Sequence, residues 1–300
     1  MPSEVSDDLP EQRIVEAAAR LPPEGAVTGW AAGRLLGAGY LDGLAPDGLT
    51  RLPVPLAVGP RARLRQSTEV QLLRNALPEA EVVTVLGVRC TVPERAALDA
   101  VRVTSTLLEQ VVVLDMLMLG EATSAERLRR YAAEHVGLPG VSALSRALDL
   151  ADENSWSPNE TRTRKIWVVD AGLPPPLVNR PIFDRRGRLL GYPDLLDEEA
   201  GLVCEFDGAD HRRARRHSED VDREATFRRH LLEVTRVTGP DLGVPGRVRS
   251  RLLAARSRAR WLPQTERPWT TTPPAGWAVV PPLEVRIVER ELTRGGLGDR

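Results

Sequence analysis

Cysteine and lysine are scarce in this sequence, and no apolar run is long enough to span a bilayer. The 2 cysteines, Cys90 and Cys204, exclude a disulfide scaffold and a four-cysteine zinc site. The best candidate for a membrane span, 107–119, contains charged residues and is shorter than the roughly 20 apolar residues required. The first residues are acidic and polar, unlike a signal peptide. We therefore expect a soluble, cytoplasmic protein without a membrane partner.

The charge balance excludes a general polycation, because 41 Lys and Arg residues oppose 42 Asp and Glu residues. Hydrophobic residues make up 42% of the chain, which is enough to build cores, and the length suggests two domains of about 150 residues. Lys165 is the one lysine in the sequence. Nearly all the positive charge is therefore arginine, and a site that needs a lysine has one candidate.

Residues 1–154 are predicted to form a mainly helical regulatory or recognition domain with a small β hairpin. The hairpin lies over 82–91 around Gly87, where β-branched residues alternate. Thr91 and Glu94 have the spacing of a capping box, which predicts a helix to about 103. The other helices are predicted from apolar spacing over 11–21, 25–36, 106–118, 123–135 and 140–151.

Residues 155–262 follow a different pattern, that of a compact α/β unit. Ser157, Pro158 and Glu160 together predict a helix start, and Gly172 predicts the end of that helix. The order α-β-β-β-α-β follows from strands near 177–183, 188–196 and 202–207, a helix near 218–233 and a strand near 234–238. The whole chain is thus of the α+β class, with a Pro/Thr/Gly-rich tail over 263–300 that we expect to be irregular.

Three carboxylates are predicted to meet on the hairpin 188–207. With a turn centred on 199–200, cross-strand partners have numbers that sum to about 399. Asp194 then lies opposite Glu205, at a Cβ distance of about 4.5–5.5 Å, and Asp207 lies further along the same face. Such carboxylates repel unless a cation lies between them, and oxygen ligands suit Mg²⁺ or Mn²⁺. The alternative is an acidic, solvated hairpin edge.

These residues resemble the motif of the PD-(D/E)xK nuclease superfamily. Pro193-Asp194 is followed by Glu205-Phe206-Asp207, and the run continues to Gly208, His211, Asp222 and Arg223. The longer run is similar to the branch of very-short-patch-repair endonucleases, which also has a glutamate in the first core helix, matched here by Glu160. The resemblance covers about 155–242. It implies a restriction-endonuclease-like αβββαβ core with a central mixed sheet.

The resemblance also implies roles for individual residues in Mg²⁺- or Mn²⁺-dependent hydrolysis of DNA. Asp194 and Glu205 would hold the metal ion, and Asp207 would belong to the same site. Glu160 would be a further ligand or would orient the attacking water, although its capping position explains it equally well. His211 would be a general acid or base, or else a surface histidine.

The lysine of the general motif is replaced here by Asp207. Lys165 does not substitute for it, because five residues from Glu160 it points about 140° away around the helix. The repair-endonuclease branch also has an acidic residue at this position. The acidic residue is therefore compatible both with a nuclease and with a protein that has the fold but does not cleave DNA.

Positive charge is concentrated beside the predicted site. Residues 205–260 contain 14 arginines and nine acids. Arg223 could bind phosphate, hold Asp207 or be a solvated helix residue. A dense run of arginines lies between the predicted site and the helix predicted near 218–233; it comprises Arg212, Arg213, Arg215 and Arg216. Such a run fits contacts to DNA phosphates, and the alternative is a solvated loop.

The first half weakly resembles antitoxin-type regulators of the AbiE class, through Gly29-Trp30-Ala31-Ala32-Gly33 and the run 92–99 (VPERAALD). Its start is too short and acidic for a winged helix, so we do not expect this half to read DNA. The sequence thus favours a metal-dependent DNA endonuclease-like protein. The alternatives are a non-catalytic DNA-binding regulator, antitoxin-like with a retained nuclease fold, and an interaction protein without a nucleic acid partner.

Overall fold

The computed structural model describes residues 9–208 and 223–295, which form two units of mixed α+β structure. Unit 1 comprises 1–153 together with 281–300, and unit 2 comprises 154–280. The predicted division near residue 154 agrees with this boundary. The predicted third segment does not, because 263–280 belongs to unit 2 and 281–300 to unit 1.

The helices of unit 1 surround a single hydrophobic cluster. Two of them begin at hydrogen-bonded caps: Thr106 Oγ1 accepts from the Glu109 amide, and Ser124 Oγ accepts from the Arg127 amide. The described helices are α1 (Pro10–Ala18), α2 (Gly29–Leu35), α3 (Pro93–Val103), α4 (Leu107–Leu119), α5 (Ala125–Glu134), α6 (Val141–Leu148) and α11 (Leu283–Gly295).

Unit 1 also contains a five-stranded sheet in the order β3-β2-β1-β5-β4. Its strands are β1 (Ala26–Val27), β2 (Val54–Ala57), β3 (Val70–Leu73), β4 (Val82–Val85) and β5 (Val88–Thr91). The predicted hairpin is confirmed as β4 and β5, with Leu86 and Gly87 both at positive φ in the turn. The prediction of a small β element was wrong in extent, because β1 joins this hairpin to β2 and β3.

The predicted capping box of α3 is a second correction. Val92 is the N-cap residue and makes no side-chain cap. Thr91 is buried in the sheet, and its Oγ1 lies 2.9 Å from Thr28 Oγ1. Glu94 accepts a hydrogen bond from Thr123 instead. The predicted helix end at Val103 is nevertheless confirmed.

The last described helix, α11, corrects the prediction of an irregular tail. Leu283 and Ile287 are each 2% exposed and belong to the core of unit 1. Around them, Arg127 forms an ion pair with Glu284 at 3.0 Å. The helix is therefore an integral part of unit 1.

Unit 2 is built on two small sheets flanked by helices. The four-stranded sheet has the order β11-β10-β9-β6 and is mixed: β10 pairs with β11 in parallel and with β9 antiparallel. The second sheet has the order β12-β7-β8. The strands are β6 (Leu177–Val178), β7 (Ile182–Asp184), β8 (Leu189–Gly191), β9 (Leu195–Asp197), β10 (Leu202–Asp207), β11 (Glu233–Thr238) and β12 (Trp269–Thr270). The helices are α7 (Pro158–Lys165), α8 (223–229), α9 (Gly239–Leu242) and α10 (Pro245–Arg258).

Alternate residues of the mixed sheet face opposite layers, as strand geometry requires. Leu202 and Cys204 pack in one cluster with α10 and with Ile166 and Trp167, which directly follow α7. Val203 packs in the other cluster, with Phe227 of α8 and Trp269 of β12. The sheet is therefore covered on both sides. The three strand regions predicted before α8 are present, but they are five short strands divided between two sheets.

Candidate functional site

The predicted register of the carboxylate hairpin is confirmed. Cys204 pairs with Leu195, and the sum of 399 holds through the observed β9–β10 ladder. One step beyond that ladder, the register sets Asp194 opposite Glu205. The backbone amide of Phe206, the residue after Glu205, donates to Asp194 Oδ2 at 2.6 Å. This hydrogen bond fixes the Asp194 carboxylate against β10.

Arginines from two elements balance the negative charge of the hairpin. Glu205 is 6% exposed, and Arg223 Nη2 of α8 lies 2.6 Å from its Oε2 atom. Arg236 of β11 pairs in register with Glu205 and lies 3.7 Å from the exposed Asp207, although its closer ion pair is with Glu224 of α8 at 2.8 Å. A charge-assisted contact to a buried carboxylate is strong, so Arg223 is the principal counter-charge of Glu205.

A glycine allows α8 to approach the hairpin this closely. Gly191 of β8 has φ +151°, and a Cβ atom on it would lie 3.0 Å from Phe227 and 3.1 Å from the side chain of Arg223. A larger residue would push the helix away. The close packing therefore brings the guanidinium of Arg223 to Glu205.

The pKa of the Cys204 thiol reports the charge near this site. Burial raises it well above the usual value, and the negative charges of Asp194 and Glu205 raise it further. Arg251 acts in the opposite direction.

Glu160 is engaged in hydrogen bonds through both carboxylate oxygens. Its Oε1 accepts from Ser157 Oγ at 2.9 Å, while Oε2 accepts from the Trp156 amide at 2.9 Å and from Asn179 Nδ2 at 2.8 Å. Ser157 Oγ in turn accepts from the Glu160 amide, as predicted for this helix start. The side chain closes the helix terminus and ties it to Asn179.

Asn179 is a site residue that the sequence reasoning missed. Its backbone amide donates to the Asp194 carbonyl at 3.2 Å, while its side-chain amide donates to Glu160. Asn179 therefore links Glu160 to the backbone of Asp194. Asn179 Oδ1 is buried and accepts no hydrogen bond from the described residues. In the sequence, the only sign of this residue was an asparagine directly after the apolar pair 177–178. Asparagine tolerates a left-handed backbone, and Asn179 has a positive φ in the structure.

Other predicted residues lie apart from this cluster or outside the structure. The ammonium group of Lys165 contacts Asp170 at 2.8 Å, consistent with the prediction that it does not replace the missing motif lysine. Five predicted residues lie outside the described ranges: His211, Arg212, Arg213, Arg215 and Arg216. Across 9–208 and 223–295, no three His, Cys, Asp or Glu side chains form a group that could hold a metal ion.

Comparisons with models of known families, with curated proteins and with solved structures found no match to this chain. In the described part of the chain, no helix has both the length and the apolar character needed to cross a membrane.

Proposed function

We propose that unit 2 is a metal-dependent DNA endonuclease domain of the restriction-endonuclease type, which hydrolyses phosphodiester bonds. One observation carries this proposal: the β9–β10 ladder ends directly before Asp194 and the buried Glu205, and the Phe206 amide holds the Asp194 carboxylate against β10 at 2.6 Å. Two neighbouring carboxylates repel each other, and a divalent cation held between them would remove that repulsion.

The donor set fits a magnesium ion better than zinc. Mg²⁺ is commonly bound by one or two carboxylates, with waters and substrate phosphate completing its shell, so a third protein ligand is not required. Asp194 and Glu205 would hold the ion. When bound, it would polarise the scissile phosphate and lower the pKa of an attacking water.

Arg223 has a double role in this proposal. It neutralises Glu205 while no cation is bound, and its side chain is 36% exposed, so it can turn outwards to a DNA phosphate. Glu160 acts as a positioning residue, because its oxygens are used at the helix terminus and Asn179 connects it to Asp194. Asp207 lies at the exposed end of the same strand.

Further roles are proposed for the segment between β10 and α8. His211 would act as the general acid or base, since its unperturbed pKa is close to neutrality. The neighbouring arginines would contact phosphates and so increase affinity for DNA. These residues are Arg212, Arg213, Arg215 and Arg216.

The second candidate is a DNA-binding regulator, antitoxin-like, that keeps the fold without turnover. The observation that favours it is that two of the acidic residues already have partners within the protein. Arg223 already contacts Glu205 at 2.6 Å, and both oxygens of Glu160 accept hydrogen bonds. In such a protein the arginines would bind DNA while the carboxylates serve the fold.

Nicking of supercoiled plasmid separates the two candidates. Wild type, Asp194→Ala and Glu205→Gln are compared in Mg²⁺, Mn²⁺ and EDTA, with calorimetric titration of each metal. The matched control is Glu199→Gln, which removes an exposed carboxylate from the turn of the same hairpin. We expect metal-dependent nicking by wild type and by the control, and loss of nicking and of metal binding in the two site variants.

The contrary outcome is equally clear. Salt-sensitive DNA binding in EDTA, without nicking and without any metal binding by wild type, supports the regulator. Nicking that survives Asp194→Ala overturns the assignment of the site.

A further inference from the structure

Unit 1 carries a short segment of unbalanced positive charge between β2 and β3. Residues 59–68 contain three arginines and no aspartate or glutamate. Arg61, Arg63 and Arg65 are all exposed, whereas Ala62 and Leu64 between them pack partly against the core. The alternation turns the three guanidinium groups to one side, and we call them the arginine ridge.

A fourth arginine holds this segment in place. Arg74 Nη1 donates to the Ala62 carbonyl and Arg74 Nη2 to the Leu64 carbonyl, each at 2.6 Å. A planar fork that bridges carbonyls two residues apart keeps the segment extended. Alternate residues of an extended chain then lie about 6.6 Å apart on one side. The ridge is therefore ordered before any ligand arrives.

The ridge differs from other arginines of unit 1 in its lack of partners. Arg89 pairs with Glu79 at 2.8 Å, and Arg127 pairs with Glu291 at 2.7 Å. By contrast, the described residues provide no hydrogen bond or ion pair to Arg61, Arg63 or Arg65. Three adjacent, unneutralised guanidinium groups repel one another, and an external polyanion would remove that repulsion.

We propose that the arginine ridge binds the phosphate backbone of a nucleic acid. Arginine matches phosphate oxygens through two parallel N–H donors. Successive phosphates of one DNA strand are separated by about 3.4 Å along the axis and also by a rotation around it, which places neighbours roughly 7 Å apart. A ridge spacing of about 6.6 Å therefore lets each arginine face its own phosphate. The neighbouring side chains of Gln66, Ser67 and Thr68 are exposed donors of the kind that also contact phosphate.

This contact fixes nucleic acid on unit 1 without reading its sequence, because phosphate contacts carry no base information. It does not depend on metal binding or hydrolysis in unit 2. The ridge would therefore act equally in a nuclease and in a regulator.

The test is fluorescence anisotropy of the full-length protein with a labelled 20-base-pair duplex, in EDTA and over a series of salt concentrations. The test variant changes all three ridge arginines: Arg61→Gln, Arg63→Gln and Arg65→Gln. A control variant makes the same charge change at exposed arginines whose side chains likewise have no described partner: Arg129→Gln, Arg146→Gln and Arg186→Gln. Thermal unfolding establishes that both variants are folded.

We expect the ridge variant to bind at least tenfold more weakly at low salt. We also expect its slope of log affinity against log salt to fall by about 2.7, since each duplex phosphate contact contributes about 0.9. The control variant should stay close to wild type. If both variants lost the same affinity for the duplex, the effect would be one of net charge alone, and the proposal would be overturned.

Two further arms test other partners. Vesicles containing an anionic lipid and a poly-glutamate chain are offered to wild type and to the ridge variant. Loss of vesicle or poly-glutamate binding in the ridge variant, with duplex binding unchanged, would overturn the assignment to nucleic acid. Loss of duplex binding alone would support it.

Discussion

At Glu160, a structural and a catalytic role compete for the same carboxylate. Three donors from Trp156, Ser157 and Asn179 surround it, which is the full environment of a helix-terminal acid. The Ser-Pro-Asn-Glu pattern predicts this cap by itself, and the structure confirms it. Asn179 was not predictable, because its hydrogen bond to Glu160 joins residues 19 apart in the sequence that only the folded chain brings together.

Substitution of Glu160 should therefore affect stability before chemistry. We expect Glu160→Ala to lower the free energy of unfolding by about 2–4 kcal/mol, because the buried Asn179 Nδ2 and the partly buried Trp156 backbone amide lose their acceptor. Glu160→Gln keeps an acceptor oxygen and should cost about half as much. Urea denaturation measures both. Unchanged stability with loss of nicking would instead assign Glu160 to the reaction.

The motif 92–99 has a similar explanation at the residue scale. Arg95 is 1% exposed and contacts Asp99 at 3.0 Å and Glu81 at 2.6 Å. Tyr131 donates to the other oxygen of Glu81, and its pKa is raised by burial first and by that carboxylate second. These charged residues form a satisfied network inside unit 1. Their pattern in the sequence resembled a regulator motif, but their contacts are those of a core.

Local signals predicted some elements well and left others out. The hairpin of β4 and β5 and the β9–β10 register follow from turns and alternation within about 20 residues of chain. The parallel pair of β2 and β3 was missed, because parallel strands need a long connection and leave no turn signal. Pro55 within β2 and the two-residue length of β1 weaken the strand pattern further.

The same reasoning accounts for α11. The Pro-rich stretch before it suggested an irregular tail, although Leu283 and Ile287 are spaced by four residues, as on one helix face. That spacing alone does not say which core receives the helix. The contact with unit 1 depends on pairs more than 150 residues apart, such as Arg127 with Glu284.

Two substitutions in α11 test its attachment. Ile287→Ala should lower the stability of unit 1 by about 2–5 kcal/mol, because Ile287 is 2% exposed and its removal leaves a cavity. Leu292→Ala is the matched control, since Leu292 is 71% exposed and should change stability little. Thermal unfolding of the full chain measures both. Similar values for the two variants would show that α11 does not contribute a buried face.

At the scale of the whole molecule, the chain leaves unit 1 at residue 153 and returns to it at 281. The two hydrophobic clusters of unit 2 contain only residues between 166 and 269, so its core needs nothing from the rest of the chain. The cluster of unit 1, by contrast, includes residues from both ends of the sequence. The two units should therefore differ in their tolerance of excision.

We expect a fragment of residues 154–280 to fold cooperatively, and a fragment of 1–153 to be less stable than unit 1 in the full chain. The second fragment lacks Leu283 and Ile287 of its core, together with the acidic partners of Arg127.

A peptide of 281–300 added in trans should restore part of the stability of the 1–153 fragment, and the effect should grow with peptide concentration, as for a ligand. Near-ultraviolet circular dichroism and thermal unfolding follow both fragments. A peptide with Ile287→Ala is the control and should restore less. If 1–153 alone melts like unit 1 in the full chain, or if 154–280 does not fold, this division of the molecule is wrong.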